Sequence, residues 1–161
     1  MRNIITKMER AERLLASCIF CVMMFSVASQ IIMRYIFNRP LLWSEELARY
    51  TYVWLVFIGA AYDVTQEKHI AVTLVTEKLP KTVQNSIKVF FNLLIVGALA
   101  YMLPHAIQYM FRQNSLFSGC MQIPMSWVYA ALPAGYVLII IHLLLQTFLL
   151  VKNNLAEEET K

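Results

Sequence analysis

An unbroken stretch of 20 uncharged residues, Leu14 to Met33, lies between Arg13 and Arg34 near the start of the chain. A helix rises about 1.5 Å per residue, so this stretch would be about 30 Å long, the thickness of the hydrocarbon core of a bilayer. Lipid offers the backbone no hydrogen-bond partner, and a spanning segment of this length therefore has to be helical. The apolar core of a secretory signal is shorter, about 7–15 residues, so we expect a retained membrane helix.

Three further segments have the composition of membrane helices. The uncharged run Val89 to Phe111 predicts a third span, and the apolar region after it predicts a fourth, with a kink at Pro133. The second span is less obvious, because only the 13 residues Tyr50 to Tyr62 are uncharged. We extend this helix back to about residue 45, with Ser44 as its N-cap. The predicted spans are approximately 14–35, 45–65, 87–111 and 124–151.

The composition and the charge distribution predict one all-α integral membrane domain over residues 1–161. Apolar residues make up 59% of the chain and charged residues 15%, whereas soluble domains contain about 45–50% and 25%. Ten of the 14 Lys and Arg residues precede the first span, separate the second from the third, or follow the fourth. Cytoplasmic loops are rich in Lys and Arg, so we expect a multi-pass protein of the bacterial inner membrane with both termini in the cytoplasm.

The connection between the second and third spans mixes apolar and basic residues from Lys68 to Pro80. Two interpretations remain open for it: an amphipathic segment that lies on the membrane surface, or a soluble loop.

The predicted spans lack the residues that transport chemistry requires. A transporter that works alone normally carries ionisable residues near the bilayer midplane, yet no Asp, Glu, Lys or Arg lies near the centre of any predicted span. This argues against the alternative of a self-sufficient four-helix transporter. The sequence also lacks phosphate-loop, zinc-ligand and nucleophile motifs and a basic stripe, so we expect neither an enzyme nor a metal, a cofactor or a nucleic-acid partner.

Two cysteines and two histidines leave a membrane redox or assembly protein as another alternative. Cys18 and Cys21 have the spacing of a redox pair, but a thiol in hydrocarbon ionises poorly. His105 and His142 would lie about 13 Å apart in depth, too far to ligate one haem. We expect each histidine to pack between helices with a hydrogen-bonded partner.

The densest group of charges lies in the connection between the first and second spans, where five of the 17 residues from Arg34 to Tyr50 are charged. Glu45 and Glu46 lie four and three residues before Arg49, so an ion-paired cluster can form on one helix face, near Arg34. This cluster either only ties the two spans together or also contacts a partner protein.

Four short motifs in and after this connection resemble one membrane-protein family. They are Arg-Tyr-x-Phe-Asn-x-Pro from Arg34, Trp-Ser-Glu-Glu-x-Ala-Arg-Tyr from Trp43, Phe-Ile-Gly-Ala-Ala from Phe57 and Lys-His-Ile-Ala-Val from Lys68. Together with the length and the four spans, they resemble the small membrane subunit (Q or DctQ-like) of tripartite ATP-independent periplasmic (TRAP) transporters.

The resemblance implies a division of labour between three components. A large membrane subunit would form a stable heterodimer with this chain and hold the substrate and sodium sites. A periplasmic binding protein would deliver an organic acid, such as sialic acid or a dicarboxylate, through transient contacts. This chain would then be a scaffold, surrounded by membrane lipids, without a substrate site of its own. Its candidate structural and partner-interface residues are Arg34, Tyr35, Asn38, Arg39, Trp43, Ser44, Glu45, Glu46, Arg49, Gly59 and His69.

Overall fold

The computed structural model describes residues 2–65 and 81–158, and side-chain environments within them for residues 8–64 and 84–151. Four long helices and one short helix account for nearly all of these residues. They are α1 (Arg2–Tyr35), α2 (Leu42–Thr65), α3 (Lys81–Arg112), α4 (Met125–Tyr129) and α5 (Ala131–Glu158), with a single 3-10 turn at Gln113–Ser115. The all-α prediction is confirmed. The predicted surface segment and His69 lie outside the described residues.

Three stretches of the described chain are long and apolar enough to cross a membrane: Met8–Tyr35, Gln84–Ser115 and Met125–Val151. They agree with the first, third and fourth predicted spans. The second predicted span corresponds to α2, which is 24 residues long but begins with a charged turn around Glu45 and contains Asp63 near its end. Its crossing of the membrane therefore remains a prediction.

Helix α2 packs against α1 on one side and α5 on the other, and α5 also packs against α3. Small residues let these helices approach closely: Ala61 of α2 and Ala131 of α5 are fully buried. At Gly135 a Cβ atom would lie only 2.8 Å from Cβ of Phe57, so this glycine sets the closest approach of α2 and α5.

One detail of the predicted helix ends is wrong. Helix α2 begins at Leu42, so Ser44 lies inside its first turn and is not its N-cap. The Ser44 hydroxyl instead donates a buried hydrogen bond to the carbonyl oxygen of Ser26 on α1. In the fourth span the helical backbone continues through Ala130, whose φ of -60° and ψ of -22° are those of a helix, and the N–H of Ala134 still donates to its carbonyl at 3.2 Å. Pro133 has no N–H with which to bond the carbonyl of residue 129, and this one missing hydrogen bond separates α4 from α5 at the place where the sequence predicts a kink.

The two intramembrane histidines have different environments. His142 is 1% exposed and contacts Glu12 of α1, which confirms the prediction of a hydrogen-bonded packing histidine. The prediction is wrong for His105, because within the described part of the chain its exposed ring contacts only its own helix, at the carbonyl and the ring of Tyr101. One turn of α3 separates these two residues, so local stacking replaces a contact between helices.

Candidate partner interface

The connection between α1 and α2 reverses the chain in six residues. Asn38 has a φ of 52°, a left-handed conformation that asparagine tolerates better than most residues. The backbone N–H of Arg39 donates to the carbonyl of Met33 at 3.0 Å and so satisfies one of the last carbonyls of α1. The predicted candidates Arg34, Tyr35, Asn38 and Arg39 are all exposed at this reversal.

A polar seam formed by Ser26, Ser29 and Ser44 joins α1 and α2 near the reversal. The Ser44 hydroxyl, which is fully buried, lies 2.5 Å from the carbonyl oxygen of Ser26. Ser29 donates to the same carbonyl at 2.9 Å. In an apolar environment a hydroxyl group without a partner is costly, so this shared acceptor favours one arrangement of the two helices.

The predicted ion-paired cluster exists only in part. Arg49 contacts Glu45 at 3.0 Å, with the two side chains 66% and 53% exposed, and Gln30 of α1 donates to Glu45 at 3.4 Å. An exposed pair at this helical spacing stabilises a protein by only about 0.3–0.5 kcal/mol. Among the described residues, Arg34 has no carboxylate partner, and its guanidinium lies 5.8 Å from the ring centre of Tyr35.

Glu46 points away from Arg49, toward the connection between α3 and α4. Its two carboxylate oxygens accept hydrogen bonds from the backbone N–H groups of Cys120 and Met121, both at 3.0 Å. Backbone N–H groups that converge on a carboxylate stabilise its ionised form. A Cβ at Gly119 would lie 3.2 Å from the same carboxylate, so a residue without a side chain suits this contact.

The segment that receives Glu46 is a narrow hairpin-like loop. Its two sides are joined by an isolated antiparallel bridge between Phe117 and Pro124. The buried Ser118 donates its N–H to the carbonyl of Ile123 at 2.9 Å, and Gln122 turns the chain with a φ of 53°. We call this segment, residues 116–125, the outer loop, because the charge distribution of the sequence predicts it on the outer side of the membrane. Glu46 therefore fixes α2 to the outer loop, while Glu45 faces α1.

Neighbouring residues of a helix point about 100° apart, which explains why the two glutamates separate. The expectation that Arg34, Glu45, Glu46 and Arg49 form one cluster is therefore wrong for Arg34 and Glu46. The outer loop was missed because it lies 74 residues after Glu46 and carries no charge that marks it as a partner.

The remaining candidates are placed as follows. Trp43 is 45% exposed at the start of α2. Gly59 lies in the second half of α2, and among the described residues no atom beyond the adjacent backbone of α2 comes within 4 Å of the position that a Cβ would occupy. Close helix packing therefore does not require a glycine at 59, in contrast to Gly135, which the sequence analysis did not select. Glu12 and Ser26 were also missed, because their partners are distant in sequence.

The sequence matches the family described as the DctQ component of tripartite ATP-independent periplasmic transporters over residues 14–153. This match covers the described helices almost completely.

Individual relatives are similar at a low level of identity. The chain is 25% identical over 153 residues to the sialic acid TRAP transporter small permease protein SiaQ of Vibrio cholerae, with 94% of this chain and 86% of SiaQ covered. It is 29% identical over 96 residues to a putative TRAP transporter small permease protein of Haemophilus influenzae, with 60% of each chain covered.

A third relative is much longer than this chain. The sialic acid TRAP transporter permease protein SiaT of Haemophilus influenzae is 25% identical over 125 residues, which are 78% of this chain but 20% of SiaT. A region similar to this chain is thus part of a larger polypeptide in SiaT. Since the family match extends over nearly the whole chain, this membrane protein belongs to the DctQ component family of TRAP transporters and is a component of a transporter.

Proposed function

We propose that this chain is the scaffold subunit of a sodium-coupled TRAP transporter for an organic acid in the inner membrane. The observation that carries the proposal is how few residues of its apolar helices are buried within the chain. Only 6% of the residues in the most apolar window of Met8–Tyr35, and 6% in that of Gln84–Ser115, are buried inside the chain. Few residues of these two spans are therefore fully covered by the chain itself, and the others are at least partly open to lipid or to another membrane protein.

The exposed surface of these spans is large and apolar. Phe25 on α1 is 76% exposed, and Phe90 and Tyr101 on α3 are 64% and 74% exposed. Membrane helices associate mainly through van der Waals packing and through polar contacts. A large partner subunit would cover part of this surface. It would also hold the substrate and sodium sites, because the predicted spans of this chain have no ionisable residue near their centres.

The relatives support both the partner and the class of substrate. In SiaT, a region similar to this chain is continuous with a longer permease sequence, so the two parts have a reason to lie side by side in this transporter too. The names of the small relatives mention sialic acid and C4-dicarboxylate, both organic acids. We propose an organic acid for this transporter on that basis.

Co-purification tests the central part of this proposal. The chain, carrying an affinity tag, is expressed with a large TRAP membrane subunit and purified in mild detergent. We expect a stable complex with one large subunit, while an unrelated tagged four-helix membrane protein recovers none. Recovery of this chain alone, in detergents that preserve other membrane complexes, would refute the scaffold proposal.

We further propose that α2 is a fourth span and that both termini are cytoplasmic. In this topology the outer loop would face the periplasm, and Cys120 is exposed in that loop. With Cys18 and Cys21 replaced by serine, a membrane-impermeant thiol reagent should label Cys120 in intact spheroplasts. The matched Asn3→Cys variant, with Cys120 also replaced, should be labelled only after permeabilisation. The reverse labelling pattern would show that the orientation is wrong.

The exposed residues at the reversal between α1 and α2 would then also face the periplasm. We propose that Arg39, which is exposed there, contacts the periplasmic binding protein when it docks. A scaffold with no docking role is the alternative, and the behaviour of an Arg39 variant separates the two.

A further inference from the structure

A buried pair of ionisable residues joins the first third of α1 to the middle of α5, in a part of the bundle that we call the terminal end. Oε1 of Glu12 lies 2.7 Å from Nε2 of His142. Glu12 is 8% exposed and His142 1%. Among the residues whose side chains the structure describes, Glu12 is the only Asp, Glu, Lys or Arg that is buried.

This contact joins two helices that hardly pack against each other. Helix α1 packs along α2, and α5 packs along α2 and α3. In the same part of α5, Gln146 donates to the carbonyl of Val64 in α2 at 2.8 Å, and Thr147 accepts from Asn92 in α3 at 3.3 Å. Three residues within a six-residue stretch of α5 thus make one polar contact each, and together they reach all three of the other long helices.

Burial of this pair does not favour the stability of the fold. Both Oε2 of Glu12 and Nδ1 of His142 are buried, and neither has a hydrogen-bond partner among the residues whose side chains the structure describes. Transfer of a carboxylate from water into an apolar environment is costly, and one hydrogen bond offsets only part of that cost. Two apolar side chains of similar volume would avoid the cost altogether, so the presence of the pair needs another explanation.

Apolar packing does little to fix the rotation of α1 about its own axis at the terminal end. Leu14 and Leu15 are adjacent in sequence, face different directions and are 66% and 50% exposed. From Leu14 onward the surface of the helix is therefore apolar on several sides, and in that part rotation would exchange one apolar face for another at little cost. Rotation would, however, take Glu12 away from His142 and leave a carboxylate unpaired in the bundle or in lipid.

We propose that the Glu12–His142 pair specifies the rotation and the position of the terminal half of α1 against α5, at the expense of stability. A single buried polar contact of this kind is known to select one helix arrangement among several of similar energy. The seam of Ser26 and Ser44 does the same for α1 and α2 at the opposite end. The inference concerns the chain itself and does not depend on its partner or its substrate.

The proposal predicts an unusual pattern of stability. Glu12→Leu and His142→Leu should each lower the midpoint of thermal unfolding, because each leaves the other polar group buried and unpaired. The double variant Glu12→Leu/His142→Leu should recover the wild-type midpoint or exceed it. Glu12→Gln, whose side-chain oxygen still accepts from the imidazole, should stay near wild type, and Arg13→Gln, at an exposed position, is the matched control.

Distances between spin labels then separate specificity from stability. In the whole chain, reconstituted in lipid nanodiscs with its native cysteines replaced by serine, one pair of labels is placed at the exposed positions Leu15 and Leu144. A second pair, at Ile32 and Val137, reports on the opposite part of α1 and α5.

We expect the stable double variant to show a broadened or shifted distance between labels at 15 and 144, with an unchanged distance between labels at 32 and 137. A double variant that keeps the narrow wild-type distance would overturn the proposal, because apolar packing alone would then position α1. Single variants as stable as Arg13→Gln would overturn it as well, since neither polar group would then need the other.

Discussion

Gly59 of α2 and Gly135 of α5 provide a matched test of how closely these two helices pack. A Cβ at Gly135 would meet Cβ, Cδ1 and Cγ of Phe57 at 2.8, 2.9 and 3.2 Å, whereas carbon atoms in contact are normally about 3.5–4.0 Å apart. A Cβ at Gly59 would meet nothing within 4 Å. The same substitution is therefore expected to have opposite effects at the two positions.

Gly135→Ala should destabilise the chain, because the aromatic ring and its Cβ have to move away by roughly 1 Å in a close-packed interface. Overpacking of this kind costs about 1–3 kcal/mol. Gly59→Ala should be neutral or stabilise the chain by up to about 1 kcal/mol, since alanine favours the helix over glycine. Equilibrium unfolding of the purified variants in mixed micelles, followed by circular dichroism, measures the difference.

A compensating substitution shows whether the steric explanation is correct. Phe57→Ala should be destabilising by itself, and it should remove most of the additional cost of Gly135→Ala when the two are combined. If Gly135→Ala were as stable as Gly59→Ala, α2 and α5 would not approach as closely as described. If the two costs simply added, the contact with Phe57 would not be their cause.

Three further predictions concern the end of the bundle that carries the connection between α1 and α2 and the outer loop. Ser44→Ala removes a buried hydrogen bond between α1 and α2, and should lower the free energy of unfolding by about 0.6 kcal/mol, and at most about 1.7 kcal/mol, in the same micelle assay. Glu46→Gln removes one acceptor of the outer-loop N–H groups and should speed the reaction of Cys120 with a thiol reagent, whereas Glu45→Gln should leave that rate unchanged; equal rates in both variants would contradict the role of Glu46. Arg39→Glu should reduce binding-protein-dependent uptake while the complex with the large subunit still assembles, and unchanged uptake would exclude a docking role.

The helices could be predicted from sequence because their cause is local. A run such as Leu14 to Met33 has to be helical in lipid whatever surrounds it, and the charges at its ends fix its limits. The boundaries were less accurate where a side chain has a distant partner. Ser44 has the residue type of an N-cap, but the carbonyl of Ser26, 18 residues earlier, takes its hydroxyl.

The contacts within the candidate interface were harder to predict, because they depend on the folded chain. Spacing along α2 placed Glu45 and Glu46 equally close to Arg49, and only the position of the outer loop separates them. Glu12 and His142 lie 130 residues apart, so the hydrogen-bonded partner expected for His142 could not be named. Gly59 belongs to a recognisable motif, yet Gly135 is the glycine whose missing side chain matters for packing.

Flux into proteoliposomes tests the central claim most directly. Vesicles would contain this chain alone, the large subunit alone or the two together, with the periplasmic binding protein, a radiolabelled organic acid and an inward sodium gradient outside. We predict sodium-dependent uptake with both subunits, reduced or no uptake with the large subunit alone, and none with this chain alone. Uptake by vesicles that contain only this chain would contradict the account, because the chain would then have to hold a substrate site of its own.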